Sequence, residues 1–155
     1  RRGAGRGWST ACPALRADPL MAATLDALLA ADGLIVITPL RWNSIPGMLK
    51  GFIDKVMKEG EGLTRTVSAR GVRGELGNLR RAYVLTTSTS PKAWIRFRNG
   101  NAIRRILMNQ TLRQLGVRRS TWIHHGLVRG GAGGRRARER HERYLARIRG
   151  MNFRF

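Results

Sequence analysis

One cysteine, Cys12, stands in the 155-residue chain, so neither an intramolecular disulfide nor a cysteine-rich zinc site can be built. A reducing compartment, the cytoplasm, is the expectation that follows. Acidic residues are scarce too: 9 Asp and Glu stand against 30 Lys and Arg, for a formal net charge of +21. Long apolar runs are lacking. The most apolar stretch, Ala22 to Leu40, contains Asp26, Asp32 and Pro39, and a charge near the centre of a bilayer costs about 2.5 to 3.5 kcal/mol. No membrane span is expected, and the length leaves room for one domain.

The charge is unevenly placed. Residues 20 to 60 carry 4 basic and 4 acidic groups, whereas residues 61 to 128 carry 13 and 2 and residues 129 to 155 carry 9 and 2. A neutral segment followed by a basic one reads as a folded core with a cationic surround rather than as one basic stripe. Of the 30 basic residues 26 are Arg, a ratio attributed here to GC-rich coding. The opening Arg1 to Leu15 has no hydrophobic period, lacks the apolar face of a transit peptide, and is read as a non-native or truncated start.

From Asp18 onward the periodicities are clear. Asp18-Pro19 is an N-cap and first-turn pair, and Met21, Leu25, Leu28 and Leu29 recur at helical spacing up to Gly33. Leu34 to Ile37 is a short continuous β-branched run, the pattern of a parallel strand buried on both faces. Met48, Leu49, Phe52, Ile53, Val56 and Met57 line one face of a second helix that Gly60 stops. Four glycines and no sustained period between Glu61 and Leu79 predict a long loop, of the kind that often serves as a lid. Tyr83 to Thr87 is a second strand, opening into a polar turn over Ser88 to Lys92. Ile103, Ile106, Leu107 and Leu115 mark a third helix, Thr121 to Ile123 a third strand, and Ala137, Tyr144, Leu145 and Ile148 a narrow stripe through an Arg-rich last helix. Strands alternating with helices predict an α/β fold of three layers around a parallel sheet.

Ligands of such sheets bind at the carboxyl ends of the strands, and two loops fall there. The first, Thr38 to Pro46, carries an aromatic, an amide and a hydroxyl; the second, Thr86 to Pro91, is a run of small hydroxyl residues. No phosphate-cradling motif accompanies them: Gly130 to Gly134 fits neither the dinucleotide fingerprint nor a Walker loop and reads as a flexible turn.

The stretch from Ala31 through Thr38-Pro39-Leu40-Arg41-Trp42-Asn43-Ser44-Ile45-Pro46-Gly47-Met48-Leu49-Lys50-Gly51-Phe52-Ile53-Asp54 to Val56 resembles the flavodoxin-like NAD(P)H-dependent quinone reductases and FMN reductases. Their pattern is Ala-Asp, an apolar strand, Pro-Leu-x-Trp, a small or polar pair, Pro-x-x-Leu-Lys-Gly, then an apolar pair flanking Asp. The resemblance implies that Leu40, Arg41, Trp42 and Asn43 line a flavin ring, Arg41 through its backbone amide, and that Thr86, Thr87, Ser88 and Thr89 form the second ring loop. At the last two positions Ser and Thr replace the family's usual glycine or tyrosine and glycine. The resemblance further implies FMN, with FAD as the other flavin, NAD(P)H as hydride donor, a quinone-like acceptor, and a homodimer. By it residues 18 to 150 form a partial flavodoxin-like domain holding the family's strands 3, 4 and 5 but lacking strands 1 and 2, which ordinarily bring the FMN phosphate loop. Residues 1 to 17 are then an unstructured or non-native start and 151 to 155 a tail. The Tyr and His that some members use after the second loop have no counterpart, since Trp94 and Arg96 occupy that region.

Each feature has a plainer reading as well. Trp42 is weighed between flavin contact and core packing, and Asn43 between a ligand contact and a turn. Lys50 and Asp54 sit four apart as a solvent-exposed helix pair. His124 and His125 point to opposite faces of a strand, so no joint metal site is expected, and His141 lies at the surface among arginines. The catalytic residues are not legible. Without strand 1 the strand Leu34 to Ile37 should expose an edge that invites association. Two other functions are carried: an inactive flavodoxin-like partner or scaffold protein, and a polyanion or nucleic-acid binder using the arginines. Against the second stands the lack of a recognition motif or an aromatic stacking platform.

Overall fold

A computed structural model describes residues 17–60, 64–128 and 134–154. Helix α1 (Pro19–Ala30) leads into strand β1 (Gly33–Pro39), and helix α2 (Gly47–Val56) follows. A hairpin, β2 (Arg65–Ser68) and β3 (Gly71–Gly74), precedes β4 (Arg81–Thr87). Two π-helices, Trp94–Arg98 and Ile103–Leu112, then lead to β5 (Arg119–His125) and the last helix, α3 (Arg135–Arg149). β1, β4 and β5 form a parallel sheet in the order β1-β4-β5, with Leu34 beside Ala82 and Ala82 beside Ser120. The expected cysteine environment, the start up to residue 16, Gly62 and the turn Gly130 to Gly133 lie outside the described residues.

The local signals act as read at the start. Asp18 accepts hydrogen bonds from the amides of Leu20 (2.9 Å) and Met21 (3.3 Å), a cap worth about 1 kcal/mol. Leu25 and Leu28 are the buried residues of α1. They join Val56 of α2 and Leu107, Met108 and Leu112 of the second π-helix in a core laid on one face of the sheet. The opposite face holds a smaller cluster, Tyr83, Leu85 and Ile123, covered by Tyr144 and Ile148 of α3 and by Met151 and Phe153 beyond it. The sheet is therefore sandwiched, with its three layers as expected.

Two expectations fail, each for a tertiary reason. β1 is not buried on both faces: Ile35 is 43% and Ile37 76% exposed. They lie in register with Tyr83 and Leu85, but α3 covers those central residues and does not extend over the edge strand. The predicted loop between residues 61 and 79 holds the β2–β3 hairpin. Its following turn is anchored by the fully buried Leu76 and Leu79. Asn78 donates to the carbonyls of Leu28 (2.8 Å) and Ala31 (2.7 Å), satisfying the end of α1. A Cβ on Gly74 would meet the backbone nitrogen of Gly116 at 2.2 Å, so glycine there serves close chain approach. No sequence signal marks the helical structure that follows the second ring loop almost at once, with i→i−5 bonding in which the amide of Asn99 donates to the carbonyl of Trp94 at 3.1 Å.

Candidate functional site

Parallel register sets the two loops side by side. Thr38 pairs with Thr86 and Pro39 with Thr87, and the amide of Leu40 donates to the carbonyl of Thr87 at 2.8 Å, extending the ladder into the loops. The chain then reverses at once: Arg41 and Ser44 exchange both backbone hydrogen bonds at 2.9 Å. Between them Trp42 and Asn43 take φ of 50° and 62°, the two left-handed residues of a type I′ turn. Asn tolerates that conformation; Trp does so at a cost, and strained residues of this kind cluster at ligand sites. The Trp42 side chain is 99% exposed, so the core-packing reading of this residue is overturned. The Arg41 amide is also not available for a ligand, because the turn already uses it. Among the described residues the amides of Trp42 and Asn43 have no backbone partner.

The second loop is stiffened by a chain of hydrogen bonds. Trp122 donates through Nε1 to the hydroxyl of Thr86 at 2.8 Å, and that hydroxyl lies 2.7 Å from Nδ1 of His124. Ser88 places its hydroxyl 3.1 Å from Nε2 of the same ring and donates it to the carbonyl of Ser90 at 2.8 Å. Since Thr86 accepts from an indole and Ser88 gives its proton to a carbonyl, the consistent assignment is neutral His124 with its proton on Nε2. Burial holds its pKa below the ordinary histidine value, and the Lys92 and His125 charges act the same way, against the Ser90 carbonyl. The Thr86 side chain, fully buried, is thus occupied within the protein. Thr87 and Ser88 are half-buried and Thr89 is exposed at the loop tip.

His124 and His125 do face opposite sides of β5, but the strand ends there and both rings line one cleft of 450 Å³. His125 stacks on Tyr144 of α3 at 4.7 Å and 13°, and its Nε2 lies 3.4 Å from Nδ1 of the exposed His141. Lys92 sits 5.1 Å over the Trp122 ring, with Arg140, Arg143 and Arg147 on the facing helix wall. No spacing in the sequence announces this cluster; it requires β4, β5 and α3 to meet. A larger cavity of 640 Å³ lies between α2 and the second π-helix, lined by Ile53, Met57, Ile103 and Ile106, with the exposed Lys50–Asp54 ion pair on its wall. Among the described residues no three His, Cys, Asp or Glu converge on a metal position, and no helix is long and apolar enough to cross a membrane.

A parallel α/β sheet with two adjoining loops at its carboxyl ends defines a class of ligand-binding domain. A family model described as a flavodoxin-like fold matches residues 8–149, and the chain belongs to that family. Among solved structures, the NAD(P)H:quinone oxidoreductase from Methanothermobacter marburgensis superposes with a TM-score of 0.72 at 21% identity, over 84% of this chain and 62% of its own. A Streptococcus mutans UA159 protein gives 0.66 at 23% identity, over 86% and 69%. An FMN-dependent NADH-azoreductase from Bacillus anthracis, solved with FMN, gives 0.61 at 17%, over 86% and 63%. No curated protein matches the sequence. At these identities the likeness concerns the fold, and this chain spans about two thirds of those relatives' length.

Proposed function

We propose that this chain is the ring-binding part of an FMN-dependent NAD(P)H oxidoreductase acting on a quinone-like acceptor, and that it works as a homodimer in the cytoplasm. The observation that carries the reading is the turn at Trp42 and Asn43: a fully exposed indole and two amides without backbone partners, strained at the carboxyl end of β1 and pinned against Thr87. These are groups a planar, hydrogen-bonding ring would use, so the residues suit a flavin. The solved relatives, a quinone oxidoreductase and an azoreductase holding FMN, add support.

In this reading Leu40, Trp42 and Asn43 hold one edge of the ring and Thr87, Ser88 and Thr89 the other. Thr86 and His124 act as positioning residues, since their side chains brace the second loop from below. FMN, when bound, supplies the hydride relay between nicotinamide and acceptor, and the protein's share is orientation and electrostatics. The cationic surround favours an anionic reduced ring and draws phosphorylated donors toward the site.

Titration of the protein with FMN and with riboflavin, followed by quenching of flavin fluorescence, tests the proposal. Saturable one-to-one binding of both flavins, weaker than submicromolar and abolished by removal of the Trp42–Asn43 turn, is the expected outcome. Absence of saturable binding by either flavin would sink the reading.

A further inference from the structure

The cleft between the end of β5, the start of the helical segment after β4, and α3 gathers basic side chains from all three elements. Lys92 rises from the loop side, His125 from the strand, and Arg140, Arg143 and Arg147 from successive turns of α3. Among the described residues no carboxylate neutralises them. The one acidic group near in sequence that forms an ion pair, Glu139, directs its carboxylate at Arg135 (3.3 Å) and offers Arg143 only its backbone carbonyl, at 3.3 Å from Nε. Nε of Arg140 is buried with no hydrogen-bond partner at all, although an unpaired buried donor is costly. The charges also disfavour one another: burial and the charges of Arg147 and Arg96 lower the pKa of Lys92, and burial, His141 and Arg140 lower that of His125. Like charges held together around an open volume, with an unpaired buried donor among them, suit an anionic ligand.

We infer that this cleft is an oxyanion site for the phosphates of a bound nucleotide, with Lys92, His125, Arg140, Arg143 and Arg147 as its donors. Two forked guanidinium groups one helical turn apart match adjacent phosphates, as in a pyrophosphate. Pro91, at the end of the second ring loop, also lines the cleft, so a nucleotide held there by its phosphates lies next to that loop. The phosphate site stands on the cleft's own charges; naming a nucleotide as its occupant rests on the oxidoreductase reading above.

Calorimetric titration with inorganic pyrophosphate at low salt, alongside the ring-proton resonances of His125 and His141, tests the site without any redox readout. One-to-one binding that shifts both histidine signals is expected. Arg143→Gln/Arg147→Gln should weaken it roughly tenfold or more, since charge-assisted hydrogen bonds are lost. Arg104→Gln/Arg105→Gln removes the same charge from the exposed face of the second π-helix and should change it less than about twofold, by long-range electrostatics alone. Equal weakening by both pairs, or binding without saturation, overturns the site. Competition then identifies the source of the phosphates. Displacement of pyrophosphate by 2′-phospho-ADP-ribose or ADP-ribose assigns a nicotinamide nucleotide, and displacement by FMN but not riboflavin assigns the flavin phosphate. Pyrophosphate that no nucleotide displaces overturns the nucleotide assignment. A cleft that binds pyrophosphate in a chain that binds no flavin refutes the oxidoreductase reading and leaves the oxyanion site standing.

Discussion

Replacing Trp42 separates a ligand-contact role from a packing role, because the structure makes opposite demands of the two. The side chain is 99% exposed, so removing it uncovers almost no apolar area, and at about 25 cal/mol per Å² the burial loss is negligible. What remains is backbone. With φ at 50°, a residue bearing a Cβ costs roughly 1–2 kcal/mol more than in a relaxed conformation, and Ala keeps that cost. Glycine relieves it while adding about 0.5–1 kcal/mol of unfolded-state entropy. Trp42→Ala should therefore leave the melting temperature of the apo protein unchanged. Trp42→Gly should leave it unchanged or raise it by up to roughly 4 °C, the equivalent of about 1 kcal/mol in a domain of this size. Flavin affinity should behave differently. An aromatic contact on a planar ring contributes about 0.5–1.5 kcal/mol beyond area, so both variants should bind FMN roughly three- to tenfold more weakly. Scanning fluorimetry without flavin and fluorescence quenching with it give the two numbers. A fall of more than about 4 °C in Trp42→Ala, more than 1 kcal/mol by the same conversion, would show that the indole packs against the protein. Undiminished FMN binding in both variants would remove Trp42 from the site.

Three further outcomes follow from the geometry. Gly74→Ala should lower the melting temperature by several degrees, because its Cβ would meet backbone nitrogen of Gly116 at 2.2 Å and neither backbone can yield cheaply; an unchanged melting curve would mean the hairpin sits elsewhere. Ile37→Lys, at the most exposed apolar position of the edge strand β1, should give smaller species than the parent in light scattering at equal salt. It is a sharper test than a charge at Val36, which is half-buried; a parent that is already monomeric at high concentration would refute edge-driven association. Burial holds the pKa of His124 below the ordinary 6.5. The unfolded chain therefore binds the proton more readily than the folded one, so this contribution to stability is complete above pH 6.5 and is lost as pH falls through the folded value. A His124 ring resonance that titrates below 6.5, accompanied by loosening of the Thr86 hydroxyl contact at Nδ1, is expected in NMR; a midpoint at or above 6.5 would contradict the neutral assignment.

Residues 18 to 60 were legible because their signals are local. A carboxylate two and three residues before free amides makes a cap, leucines at helical spacing make a face, and a β-branched run bounded by glycine and proline makes a strand, whatever lies around them. The same locality carried Trp42 and Asn43 to the carboxyl end of a strand. The sequence could not say which face of β1 would be covered, since that depends on how far a helix more than a hundred residues later extends. Nor could it show the hairpin at 65–74, whose polar strands lack an alternating period and are fixed by backbone approach to Gly116. The Thr86–His124 contact joins residues 38 apart, and the cationic cleft gathers groups from a loop, a strand and a helix. Side chains meet there only because parallel strands align their carboxyl ends and α3 packs across them. That alignment is a property of the sheet and its covering helix, with no counterpart in residue spacing.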